Sequence, residues 1–122
     1  MSAADLSALA AAAAKLPGWK WRAGMRAALT DAPGGPPVWS GVLDGTYHVA
    51  ADAIPVLSDP ATGGWMLALL CASASPATVE VCVCGDEVHA TFSLPGYTQH
   101  KGTGASLGEA CARVALQIGR WA

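Results

Sequence analysis

The chain has 122 residues, a formal net charge of −2, 52% hydrophobic and 13% charged residues, and roughly a fifth of it is alanine. That length supports one compact domain spanning 1–122, and the apolar content excludes a disordered chain. A pI near 5.8 excludes a basic nucleic-acid coat, and despite a mean hydropathy of +0.35 no run approaches the about 18–20 apolar residues of a spanning helix.

Asp5 to Leu16 predicts the first helix. Leu6, Leu9, Ala13 and Leu16 recur at helical spacing, and Pro17-Gly18 ends it. No basic residue precedes the alanine run and Asp5 stands where one would be, so an export signal is not expected. The cysteines at 71, 82, 84 and 111 are accordingly expected reduced, as small apolar residues of a cytoplasmic protein. Trp19 to Leu29 predicts extended structure broken at Ala23-Gly24, with Trp19 and Trp21 on one face and Lys20 and Arg22 on the other. Asp31 to Pro37 is a turn region. Val38 to Leu43 predicts a strand, Asp44-Gly45 a turn, and Tyr47 to Ala50 a short return strand.

The second helix opens at Ser58-Asp59-Pro60, with Asp59 as N-cap and Pro60 at the first helical position, and runs to about Ala74. It is apolar nearly all round, so it is expected at the centre of the core. Gly63-Gly64 costs helix propensity and predicts close backbone packing. Val79 to Cys84 and Glu87 to Ser93 predict a hairpin turned at Gly85-Asp86. Its Val79, Val81 and Val83 are expected to share the core face with Val88, Ala90 and Phe92. Leu94-Pro95-Gly96 bends the chain into an extended piece, Tyr97 to Lys101. Ser106 and Glu109 make a capping box, and Leu107, Ala110, Cys111, Val114, Ile118 and Trp121 continue at helical spacing. The pattern predicts an α+β fold, a small antiparallel sheet packed against two or three helices.

Chemistry is sparse. No nucleophile elbow occurs, and Cys71 and Cys111 fall on apolar helix faces where a thiol is buried and inert. An enzyme is therefore not expected, though His48, His89 and His100 would supply a small hydrolase if they converged. Cys82, Cys84 and His89 offer three ligands with no fourth, so neither a metal nor a cofactor is expected. Gly102-Thr103-Gly104-Ala105-Ser106 follows an extended segment and enters a helix. Free amides there, with Lys101 beside them, suit an anion such as phosphate. A second feature is the basic and aromatic segment containing Lys15, Trp19, Lys20, Trp21, Arg22 and Arg26, with four of the seven basic residues. Indoles and guanidinium groups together grip bases and phosphates, although two core indoles with a solvated charged edge account for the same pattern. Trp39, Trp65 and Trp121 are read as core or rim.

Two resemblances follow. Leu16-Pro17-Gly18-Trp19-Lys20-Trp21 with Gly24-Met25, then Leu57-Ser58-Asp59-Pro60-Ala61-Thr62-Gly63 with Leu67 to Leu70, resembles small accessory proteins of tailed phages and prophages. Val88 to Leu116, with Phe92-Ser93-Leu94-Pro95-Gly96 and Ser106-Leu107-Gly108-Glu109-Ala110, is similar to the strand–loop–helix of HicB-like antitoxins, although the strand expected after the helix is missing. The first implies a counter-defence protein in the host cytoplasm that sequesters a small nucleotide signal or blocks a host protein. The second implies neutralisation of a toxin protein. The expected ligand site joins Lys101, Gly102, Thr103 and Gly104 to Trp21, Arg22 and Arg26. The rival is a protein-binding module using exposed apolar surface, and the low charge is compatible with a homo-oligomer.

Overall fold

The computed structural model describes residues 3–30, 37–44, 49–50, 52–72, 78–93 and 99–121. In chain order these form α1 (Ala3–Ala14), β1 (Arg26–Thr30), β2 (Pro37–Val42), β3 (Ile54–Pro55), α2 (Pro60–Ala72), β4 (Thr78–Cys84), β5 (Glu87–Ser93), β6 (Gln99–Gly104) and α3 (Leu107–Ile118). The strands make two antiparallel sheets, ordered β2-β1-β3 and β4-β5-β6. The chain is an α+β protein, with two small sheets where the sequence pattern suggested one.

Helix α3 is the hub. One side of it lies on β6 and β5, and other sides meet α2 and α1. Its fully buried residues include Ala110, Cys111, Ala112, Val114 and Ala115, small enough to admit neighbours on several sides. Ser106 caps it as expected: its hydroxyl accepts from the Glu109 amide at 3.2 Å and donates to the Leu57 carbonyl at 2.9 Å. Asp59 caps α2, its carboxylate accepting from the Thr62 amide at 3.0 Å and the Thr62 hydroxyl at 2.9 Å. The close approach expected at Gly63-Gly64 belongs to Gly63 alone. A β-carbon there would stand 2.9 Å from the Gly108 amide nitrogen of α3, whereas Gly64 faces open space.

Several expectations need correction. The glycine-rich stretch before α3 is the strand β6 and not a loop, paired with β5 from Val88↔Gly104 to Ser93↔Gln99. Helix α3 stops at Ile118, because Gly119 takes a left-handed conformation (φ 89°) and closes the last turn. Trp121 therefore lies beyond the helix. It is fully buried, with its amide donating to the Pro17 carbonyl and its indole N–H to the Ala13 carbonyl at the end of α1. Val81 and Val83 share a face with Ala90 and Val88, yet they are exposed, because α3 covers β5 and β6 and leaves β4 as a bare edge. Regular strand structure in the segment from Trp19 to Leu29 begins only at Arg26, after a turn in which Gly24 has φ 95°. The pairing of Ile54–Pro55 with Ala28 and Ala27 was not signalled, since proline argues against a strand except at an edge. Much of the turn expected from Asp31, most of the return strand at Tyr47 and the bend at Leu94 lie outside the described residues.

Candidate functional site

Of the seven residues expected to bind an anion, Trp21 and Arg22 precede β1, Arg26 opens it, and Lys101, Gly102, Thr103 and Gly104 lie on β6 of the other sheet. Trp21 is half-buried, its ring edge-on to that of Trp19 with centroids 5.2 Å apart, and Trp19 packs in turn on Trp121. Those indoles are occupied with one another, while Lys20 and Arg22 are exposed. Arg26 opens β1, with Nε 3.8 Å from the Asp59 carboxylate and a guanidinium nitrogen 3.5 Å from the Ser40 hydroxyl. Lys101 projects from the face of β6 opposite the one α3 covers, because the alternating Gly102 and Gly104 face that helix. Thr103 shares the outward face, its hydroxyl 3.3 Å from Nδ1 of His89. Among the described residues no hydrogen bond, ion pair or ring contact joins Trp21, Arg22 or Arg26 to the stretch from Lys101 to Gly104.

The glycines of β6 serve packing. A β-carbon on Gly102 would overlap the Ala110 carbonyl, and one on Gly104 would stand 2.5 Å from the Glu109 side chain. Glu109, buried against them, accepts from the Ala105 amide at 2.8 Å and pairs with Arg113 at 3.3 Å. Its carboxylate thus occupies one amide that a phosphate would use, the Ser106 hydroxyl takes another, and the carboxylate's negative charge already meets the positive end of the helix dipole. His89 and His100 alternate onto opposite faces of the second sheet. His48 lies outside the described residues.

Sequence reasoning missed a different feature. Among the described residues strand β2 is an edge strand, and it exposes apolar side chains on both of its faces. Trp39 is 49% exposed on one face, and Val38 and Val42 are 58% and 53% exposed on the other. Beside the indole opens a cavity of about 200 Å³ lined by Leu29, Trp39, Val42, Leu43, Val49, Ala50 and Ala53. Among the described residues no polar side chain lines it. The Trp39 ring lies against Gly41 two residues on, where a β-carbon would stand 2.7 Å from it. The signal available in the sequence was Trp39-Ser40-Gly41: an aromatic followed by a small residue at the alternation distance. Trp65 is also exposed, on α2, whereas Trp121 is core.

Thiol environments differ from expectation as well. Cys111 is buried, and burial, with a smaller contribution from Cys71, pushes its pKa up to about 12. Cys71 is exposed, at the solvent side of α2, and so are Cys82 and Cys84. Among the described residues no three His, Cys, Asp or Glu side chains are placed to hold a metal ion, and no helix is long and apolar enough to cross a membrane. Comparison with protein-family models, curated proteins and solved structures returned no match to the chain.

Proposed function

We propose that this protein is a non-catalytic binding module that takes an extended segment of a polypeptide partner along the open edge of β2, with one large apolar side chain entering the cavity beside Trp39. The observation that carries this reading is an edge strand with no neighbour beyond it among the described residues and with apolar side chains exposed on both faces. A strand added at that edge forms main-chain hydrogen bonds and meets Trp39 on one side and Val38 and Val42 on the other. β2 carries no charge to repel a neighbour, and charged residues are a usual protection of bare edges. Burying an exposed aliphatic or aromatic side chain contributes about 1.5–3 kcal/mol. Three such side chains are enough to offset part of the association cost. The resemblances to phage accessory proteins and HicB-like antitoxins supply the partner class, a host protein or a toxin.

A nucleotide-type anion is the competing ligand, and the apolar lining of the cavity favours the polypeptide. Selection from a random peptide library on the folded protein, followed by titration, separates the two. The expected peptides alternate apolar and polar residues, and Trp39→Ala weakens their binding at least tenfold with an unchanged far-ultraviolet spectrum. A failure to enrich any peptide overturns the reading, as does binding indifferent to Trp39→Ala. A nucleotide panel that raises the melting temperature at micromolar concentration would transfer the function to anion sequestration.

A further inference from the structure

We infer that Cys82 and Cys84 form a dithiol site that exchanges with a low-molecular-weight disulfide and closes into an intramolecular disulfide. Alternation along β4 places both thiols on the face turned away from α3, with their sulfurs 3.2 Å apart and both residues exposed. Across the ladder Cys82 pairs with His89 and Cys84 with Glu87. The Glu87 carboxylate is 3.2 Å from Nε2 of His89, whose Nδ1 meets the Thr103 hydroxyl, so the imidazole beside the thiols is fixed from both ends. Lys101 lies on the same face. This surface is separate from the cavity at Trp39, and the inference stands independently of the binding function proposed above.

The two thiols are not equivalent. Cys84 holds its proton above the ordinary thiol range, first because of its hydrogen bond to Cys82 and then because of charge there. Cys82, which stands directly across the ladder from the His89 imidazole, is the attacking sulfur, and Cys84 at the strand end is the one that closes the ring. In the first step the Cys82 thiolate attacks one sulfur of RSSR, forming Cys82–S–SR and releasing RS⁻, which takes up the proton Cys82 lost. In the second, deprotonated Cys84 attacks the Cys82 sulfur and expels the second RS⁻, which takes the remaining proton. Two protein thiols are oxidised and one disulfide becomes two thiols.

Backbone geometry makes the product reversible. Residues two apart on a strand have α-carbons about 6.8 Å apart, at the far limit for a disulfide. Closure requires the strand to tighten. β4 can do so because it is an edge, and because Cys84 is its last residue before Gly85 turns the chain with φ 62°. A disulfide closed under such strain is readily reduced again, as an exchange site needs.

The test uses full-length Cys71→Ser protein, which removes the other exposed thiol, incubated with glutathione disulfide, quenched in acid and weighed intact. The expected product is the chain lighter by two hydrogens, with two equivalents of glutathione released. Adding Cys84→Ser is expected to halt the reaction at a stable single glutathione adduct with one equivalent released. Stable adducts on the Cys71→Ser protein without the cyclised product overturn the proposal. Disulfide-linked dimers in place of cyclised monomer overturn it as well, as does a folded protein that does not react. Trp39→Ala is expected to leave the cyclisation unchanged.

Discussion

The indole of Trp39 lies across Gly41 on the same strand face: a β-carbon on Gly41 would stand 2.7 Å from the ring carbon Cζ2 and 3.1 Å from Cη2. The absence of a side chain at Gly41 is thus what sets the ring beside the cavity. Gly41→Ala is expected to tip the indole away and weaken a selected peptide about tenfold, or roughly 1.4 kcal/mol. The strand is exposed, so the urea midpoint should hardly move. An affinity equal to that of the parent protein would show that the ring position is immaterial.

Two adjacent glycines of α2 are expected to respond in opposite directions. Gly64 faces open space, so Gly64→Ala should stabilise by about 0.5–1 kcal/mol through helix propensity. Gly63 touches the backbone of α3, so Gly63→Ala should destabilise by about 1–3 kcal/mol through overpacking. Urea denaturation of both variants checks the pair. Equal effects would mean the α2–α3 crossing is looser than described.

Trp121 ties the residues after α3 to the end of α1 through the Ala13 carbonyl and through packing on Trp19. Trp121→Ala should cost about 3–5 kcal/mol, and Trp121→Phe less, since the ring volume is largely kept while the indole N–H bond is lost. Thermal unfolding of the two variants is the measurement. A Trp121→Ala protein as stable as the parent would contradict the burial.

Alkaline stability follows from Cys111. Its folded pKa is raised to about 12 from the ordinary 9.0 by burial, so the folded state keeps a proton the unfolded chain releases. The resulting stability is complete below pH 9 and declines as pH rises toward 12, by at most about 1.4 kcal/mol per pH unit. Cys111→Ala should flatten that decline while lowering stability at neutral pH through the smaller side chain. Urea midpoints from pH 7 to 10.5 test it, and identical slopes would assign the decline to other groups.

Local chemistry made much of the fold legible. Asp59-Pro60, Ser106 with Glu109, and Gly85-Asp86 each satisfy or redirect backbone groups within a few residues, and each stands where the sequence placed it. What depended on distant partners was not legible. Gly102 and Gly104 look like a flexible loop until α3 is laid over them, and Val81 and Val83 look buried until the width of that helix is known. Ile54-Pro55 carries no strand signal of its own, because its pairing is supplied by β1. The residues expected to bind an anion make no hydrogen bond, ion pair or ring contact between their two groups among the described residues. They were grouped by charge and aromaticity, whereas Arg26 was already paired with Asp59 and Trp21 with Trp19.

The position of α3 also bears on how the chain folds. β4, β5, β6 and α3 are consecutive, and β4 and β5 are joined by only two residues, so this part closes through short loops. Helix α1 instead reaches α3 and Trp121 across nearly the whole sequence, the Ala13–Trp121 hydrogen bond spanning 108 positions. Loop-closure entropy rises with that separation, and contacts between near neighbours form sooner. The three strands and their helix are therefore expected to form first, with α1 docking late. Substitutions at Ala90 or Val114 should slow refolding, whereas those at Ala10 or Trp121 should chiefly hasten unfolding.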